Sequence, residues 1–255
     1  MPYDLGGRIA LVTGATSGFG LATAEAFLRA GARVVAMARR KDRLDALASR
    51  HAGKVHPVTV DLRERGAIEK AVAGLPADFA ELDVLVNNAG LALGLEPAHR
   101  ASLEEWDQMI ETNCRAVAAM TRAVLPGMVA RNRGHVVTVG SVAGTYPYPG
   151  GNVYGATKAF VHQFMLNLKA DVLGTAVRVT SVEPGMAETE FSLVRFGGDA
   201  ARARKVYEGL TPLRGEDIAE AILWAVSLPA HVNVNAIELM PVQQAFSPFA
   251  FARKT

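Results

Sequence analysis

Short β-branched runs alternate with longer helix-patterned stretches along almost the whole chain. The pattern predicts strands at residues 8–13 (RIALVT), 33–38 (RVVAMA), 55–60, 83–86 (DVLV), 135–139 (HVVTV), 176–182 (AVRVTSV) and 234–239. Helices are predicted at 18–30, 41–50, 65–74, 103–130 with a break near Pro126, 152–172 and 216–227. The strands are continuous apolar runs, the pattern of strands covered on both faces. Strand–helix–strand order demands crossover connections, and therefore a parallel sheet with helices on both sides. No low-complexity linker or internal repeat divides the 255 residues. The expectation is one doubly wound α/β domain over residues 1–255, with about seven strands. Residues 183–209 form the only long irregular stretch, and such loops in compact domains are usually lids or binding loops.

Composition works here by exclusion. Lys plus Arg number 27 against 25 Asp plus Glu, and a net charge of +2 is too small a surplus to grip a nucleic-acid backbone. The single cysteine, Cys114, rules out an internal disulfide framework and reads as core, and the six histidines fall into no metal-ligand spacing. The N-terminal residues lack a signal-peptide pattern, and no apolar run approaches the roughly 18 residues of a membrane helix. The expectation is a cytoplasmic protein with no metal, membrane or nucleic-acid partner.

Glycine is concentrated where the first strand ends, in Thr13-Gly14-Ala15-Thr16-Ser17-Gly18-Phe19-Gly20. Gly14 permits a tight turn off the strand, Gly18 lets backbone amides approach a pyrophosphate, and Gly20 lets the next helix pack on the sheet. Thr16, Ser17 and Phe19 complete the loop, and the helix N-terminus aims free N–H groups and its dipole at the anion. Glycines at a strand–helix junction are often mere turn-formers. Here they follow a clean strand and precede Leu21, Ala24 and Leu28 at helical spacing, which favours dinucleotide binding.

The spacing is G-x-x-x-G-x-G. It is followed in order by Asn87-Asn88-Ala89-Gly90, Asn113, Ser141, Tyr154-Gly155-Ala156-Thr157-Lys158, and Pro184-Gly185 with Thr189. This series, covering residues 8 to about 240, resembles the short-chain dehydrogenase/reductase family. The resemblance implies a single-domain Rossmann fold with Tyr154 as acid/base and Lys158 tuning it while holding the nicotinamide ribose. It implies that Ser141 orients the substrate oxygen and that Asn113 kinks its helix and anchors a water linking Lys158 to solvent. Asp61 and Leu62 would contact adenine, Asn88 would line the adenosine side, and the loop from Pro184 and Gly185 to Thr189 would lie over the nicotinamide. Tyr154 and Lys158, four apart on a helix, share one face. The ammonium and an oxidised nicotinamide would together lower the tyrosine pKa from its usual ~10.

An acid at the end of the second strand would bond the ribose hydroxyls of NAD, but this chain has Met37-Ala38-Arg39-Arg40-Lys41. Cations are disfavoured at a helix start unless an anion meets them, so Arg39 and Arg40 point to the 2′-phosphate of NADP(H).

Within the family, residues 88–98 (NAGLALGLEPA), 151–160 (GNVYGATKAF), 189–196 (TEFSLVRF) and 228–233 (LPAHVN) resemble NADP-dependent 3-hydroxy acid dehydrogenases. Such enzymes act on L-serine, L-allo-threonine and 3-hydroxypropionate-type acids, or reduce the matching semialdehydes. A carboxylate substrate calls for a cation, and Arg195 in the 183–209 loop is the candidate, against the alternative of a surface arginine stabilising that loop. Arg178 and residues 202–204 read as strand-end and helix-face charges. Three residues separate Gly185 from Thr189, one fewer than in that subgroup, which keeps open a sulfoacetaldehyde reductase using the same Arg195. An inactive NADP-binding sensor or scaffold is the alternative of another class, disfavoured because Tyr154 and Lys158 are both present. The tail, 241–255, carries Phe246, Phe249 and Phe251. With the family usually tetrameric, the expectation is a homotetramer whose tails cover a neighbouring subunit.

Overall fold

The computed structural model describes residues 3–246. Its strands are β1 (Ile9–Thr13), β2 (Arg33–Ala38), β3 (Val55–Thr59), β4 (Val84–Asn87), β5 (Gly134–Val139), β6 (Val177–Pro184) and β7 (Ala236–Leu239). Its α-helices are α1 (Gly18–Arg29), α2 (Lys41–Arg50), α3 (Ala67–Ala73), α4 (Leu103–Ile110), α5 (Ala116–Ala130), α6 (Asn152–Asp171), α7 (Glu190–Arg195), α8 (Ala200–Lys205) and α9 (Gly215–Ser227). All seven strands join one parallel sheet in the order β3-β2-β1-β4-β5-β6-β7, with Leu11 of β1 opposite Val35 on one side and Leu85 on the other.

The apolar runs are used on both faces. In β1, Ala10 and Val12 enter a core shared with α1, α2 and α9, while Ile9 and Leu11 enter the opposite core with α3, α5 and α6. Side chains alternate across a pleated strand, so a strand apolar throughout needs cover on both sides. The expectation fails at the sheet's edges, where β3 and β7 are largely half-exposed because the covering layers end there. From β1 the chain winds outward to β3, then returns to β4 and winds outward to β7. The crevice at the carboxyl ends of β1 and β4 is the switch point at which such sheets place their ligands.

Three other expectations change. The break predicted near Pro126 is instead a π-helical turn at Glu111–Arg115, and α5 runs through Pro126. The cause is Asn113, whose buried carboxamide is pulled onto the Leu91 backbone and bulges the helix. The stretch 183–209 is not irregular, since its first two residues finish β6 and it contains α7 and α8. Both helices start at a side-chain cap: Thr189 accepts from the Phe191 N–H, and Asp199 from Ala201 and Arg202.

Arg178 is no strand-end surface charge. It is buried and donates to the carbonyls of Ala225, Val226 and Leu228 at 3.1, 2.7 and 3.2 Å, closing the carboxyl end of α9. Arg178→Met should lower unfolding stability by about 2–3 kcal/mol, because the carbonyls it served stay buried without partners. Urea denaturation checks this, and an unchanged midpoint would contradict it. Among the described residues no helix is long and apolar enough to cross a membrane, and no group of side chains could hold a metal ion.

Candidate active site

A cleft of about 510 Å³ opens at the carboxyl ends of β1, β4, β5 and β6. Its floor on one side is the glycine loop, with Gly14, Thr16, Ser17, Gly18 and Phe19 on the surface. Gly20 lies behind them: a Cβ there would fall 2.3 Å from Asn88 Nδ2 and 2.4 Å from the Gly14 carbonyl oxygen, so α1 can start this close only without a side chain. Asn88 Nδ2 donates to the Thr13 carbonyl at 2.8 Å, and the Thr13 hydroxyl accepts from the Asn88 and Ala89 N–H groups at 3.0 Å each. The ends of β1 and β4 are thereby laced together, and Asn88 still reaches the cleft wall.

Arg39 is exposed at the rim. Arg40 lies against the loop, its Nε 3.2 Å from Thr16 Oγ1 and its Nη2 2.7 Å from Ser17 Oγ, with Nη1 2.8 Å from Glu190. Asp61 and Leu62 line the same wall. Hydrogen bonds from Arg63 hold the Asp61 carboxyl down at about 2, so it is ionised at neutral pH.

At the other end Ser141, Tyr154 and Lys158 meet, as the sequence predicts. Ser141 Oγ accepts from the Ala143 N–H at 3.1 Å and is hydrogen-bonded to the Tyr154 phenol. The short turn after Ser141 packs directly on α6, and a Cβ on Gly144 would lie 2.8 Å from the Lys158 carbonyl carbon. Tyr154 is buried in a small apolar cluster with Leu91, Met109 and Ala143.

Without the oxidised nicotinamide that the expectation included, the chain's own groups raise the Tyr154 phenol. Burial, reinforced by Tyr148, pushes it up to about 12, although Arg195 and the Ser141 hydrogen bond pull the other way. Lys158 does not offset the burial, because its Nζ points at the Val139 carbonyl, 2.8 Å away, and sits 5.9 Å from the Tyr154 ring centre. Burial also pushes Lys158 down to about 8. Cys114, close by, is only half-buried and not the core residue expected, yet burial still pushes it up to about 11 and it remains a thiol.

Asn113 lies beneath the cleft and not on its surface. Its Oδ1 accepts from the Leu91 N–H at 2.9 Å, and its Nδ2 donates to the Leu91 carbonyl and Thr157 Oγ1 at 2.8 and 3.0 Å. Thr157 in turn donates to the Tyr154 carbonyl at 2.8 Å, so one amide ties the β4 loop to the tyrosine's helix. Pro184, Gly185 and Thr189 line the roof.

Arg195 sits over the reactive end, its guanidinium 5.1 Å from the Tyr154 ring centre, 5.6 Å from Tyr148 and 5.8 Å from Phe191. It donates to the Tyr148 hydroxyl, while its Nε is buried without a hydrogen-bond partner among the described residues. Tyr148, Phe191, Glu190 and Gln244 also line the site, and sequence reasoning missed them. All four lie on loops or on a six-residue helix without periodicity, and for that helix the cap at Thr189 is the local signal. Gln244 accepts from the Met186 N–H at 2.8 Å, so the start of the tail packs on its own chain's roof loop. Phe246 is 75% exposed with its ring centre 6.0 Å from that of Tyr146, whereas Phe249 and Phe251 lie outside the described residues.

Residues 8–195 match the short chain dehydrogenase family. An NADP-dependent 3-hydroxy acid dehydrogenase of Salmonella typhi is 57% identical over 246 residues, covering 96% of this chain and 99% of that protein. A serine 3-dehydrogenase of Agrobacterium fabrum is 48% identical over 245 residues, covering 96% and 98%. The closed form of a serine dehydrogenase complexed with NADP+ superposes with a TM-score of 0.93 at 53% identity, covering 97% of this chain and 100% of that one.

Proposed function

Because this chain belongs to the short-chain dehydrogenase/reductase family, we propose that it moves a hydride between NADP(H) and a small 3-hydroxy acid such as L-serine, L-allo-threonine or 3-hydroxypropionate. In the reverse direction it would reduce the corresponding semialdehyde. The observation that carries the substrate class is Arg195, a guanidinium over the Tyr154 ring whose buried Nε has no hydrogen-bond partner among the described residues. A carboxylate beside the reacting carbon gives such a group two parallel charge-assisted bonds. The names of the relatives support the same class.

The residues fit the cofactor. The glycine loop brings bare backbone to the cleft at Gly14 and Gly18, and Arg39 and Arg40 supply positive charge where the second strand ends. Across the cleft, a Cβ on Gly90 would lie 3.5 Å from Lys158 Nζ and 3.3 Å from Asn113 Oδ1, so this edge too is open only because it lacks a side chain. When bound, the cofactor supplies the hydride donor or acceptor.

The chain's own groups handle the proton. In reduction the Tyr154 phenol, kept protonated by burial, donates to the substrate oxygen while the Ser141 hydroxyl holds that oxygen in place. In oxidation Tyr154 takes the hydroxyl proton as a phenolate, a form that Arg195 favours and that the positive charge of an oxidised nicotinamide would favour further. Asn113 holds the helix bulge and the β4 loop on which Lys158 and Tyr154 rest.

A panel of L-serine, 3-hydroxypropionate, malonic semialdehyde and sulfoacetaldehyde with NADP(H) and NAD(H) tests the reading. Turnover of the hydroxy acids with NADP is expected, and absence of turnover across the panel would sink it. Sulfoacetaldehyde belongs in the panel because a sulfonate would meet the same Arg195. Arg195→Leu should raise KM for the acids about 10- to 100-fold while leaving turnover of an uncharged short alcohol little changed. Equal effects on both substrates would reduce Arg195 to a loop-stabilising residue.

The assembly we propose is a homotetramer. Ile110 of α4 with Phe160 and Leu166 of α6 leave exposed apolar surface on neighbouring helices, and Phe160 stacks on Phe164 at 5.9 Å. Sedimentation showing a monomer would exclude it.

A further inference from the structure

The carboxylate of Glu190, the first residue of α7, meets Arg40 and Arg43 at the start of α2 and, through them, the glycine loop. Its Oε2 is 2.8 Å from Arg40 Nη1 and its Oε1 is 2.8 Å from Arg43 Nη1, although these lie 150 and 147 positions away in sequence. Arg40 holds the Thr16 and Ser17 hydroxyls of the glycine loop at the same time. Arg43 Nη1 also reaches the Thr16 carbonyl at 3.4 Å. The two arginines keep the Glu190 carboxyl below the usual carboxylate range, so it is an anion at neutral pH. An acid in the first turn of a helix is ordinarily accounted for by the helix dipole. Here each carboxylate oxygen is instead paired with a guanidinium of a distant segment.

We infer that Glu190 is a latch on the phosphate site, a carboxylate occupying the guanidinium that the 2′-phosphate of a phosphorylated adenosine would take. The inference rests on the reading of Arg40 as a ligand of the NADP 2′-phosphate. A phosphate carries more negative charge and more acceptor oxygens than a carboxylate, so it outcompetes Glu190 at Arg40, and the two anions repel each other. Glu190 then keeps Arg43 alone or leaves. Because α7 runs only from Glu190 to Arg195, a shift at its first residue moves the cation at its last, which stacks on Tyr154. The same contact thus makes Glu190 a specificity-determining residue: it weighs against every 2′-phosphorylated ligand and links the arrival of that phosphate to the placing of Arg195.

Adenosine 2′,5′-bisphosphate and adenosine 5′-monophosphate differ only in the 2′-phosphate, and calorimetry on the full chain gives the ratio of their Kd values at one ionic strength. Wild type should prefer the bisphosphate, and absence of that preference would remove the cofactor reading itself. In Glu190→Gln the preference should grow about three- to tenfold, the range for two partly exposed ion pairs. A preference present in wild type but unchanged or smaller in Glu190→Gln would overturn the latch and leave the cofactor reading standing. Amide hydrogen exchange supplies the second readout. The bisphosphate, and not the monophosphate, should alter protection across 190–195 in wild type, and equal protection with both would also overturn it.

Discussion

Tyr154→Phe is expected to lower kcat by about 10²- to 10⁴-fold in both directions while changing the affinity for NADP(H) by no more than about twofold. The substitution removes one oxygen from a buried ring whose remaining contacts, with Leu91, Met109 and Phe191, are apolar and stay. The folded chain and the glycine loop are therefore undisturbed, and only the proton donor is lost. Since burial pushes the phenol up to about 12 in the chain by itself, reduction should show no loss of rate from Tyr154 ionisation around neutral pH. Steady-state kinetics with fluorescence titration of NADPH separates the two effects. Turnover within tenfold of wild type would mean that the proton comes from elsewhere.

Lys158→Met should be equally damaging to turnover, by about 10²-fold or more, yet more stable than wild type at pH 7. Burial lowers the ammonium from 10.5 to about 8, which corresponds to roughly 3 kcal/mol of unfavourable burial of the charge. Below about pH 8 both the folded and unfolded chains hold the proton and the folded one bears that cost in full. Between about 8 and 10.5 the folded chain sheds its proton first, so the unfolded state binds more protons and wild-type stability rises with pH. Methionine removes the charge but leaves the Val139 carbonyl without its 2.8 Å partner, so the net gain at pH 7 should be about 1–2 kcal/mol, shrinking as pH rises toward 10.5. Urea midpoints at pH 7 and pH 9.5 check the sign. A variant less stable than wild type at pH 7 would mean that the Lys158–Val139 bond outweighs the buried charge.

The elements of this fold were legible because the inner strands are apolar on both faces and the longer helices repeat their apolar positions. Their bounds differ from the periodicity by a few residues at most, except between 103 and 130 and in 183–209. In the first case the helical pattern runs unbroken through Glu-Thr-Asn-Cys-Arg, and only the distant Leu91 backbone reveals why Asn113 bulges there. In the second, two six-residue helices are too short to show a period, and their caps are the sole local trace. Arg178 looks like any strand-end cation until α9, some 50 residues later, brings its carbonyls to it. The same limit applies to the site. Ser141, Tyr154 and Lys158 carry their chemistry in their side chains and spacing. Tyr148, Glu190 and Arg43 acquire theirs only from the partners that folding sets beside them. Spacing likewise places Lys158 on the right face, but not the direction in which Nζ points.

The strand order has a consequence for the chain as it is made. β1 lies near the middle of the sheet, yet its two neighbours arrive at different times, β2 at residues 33–38 and β4 only at 84–87. Until then the nascent β1-β2-β3 unit presents β1 as a bare edge whose Ala10, Leu11 and Val12 are wholly enclosed in the finished protein. The Ile9 N–H likewise waits for the Asp83 carboxylate, 3.0 Å away once β4 docks. An unpaired apolar edge is a template for a second copy of itself. A chain interrupted before residue 84 would therefore carry that edge unpaired.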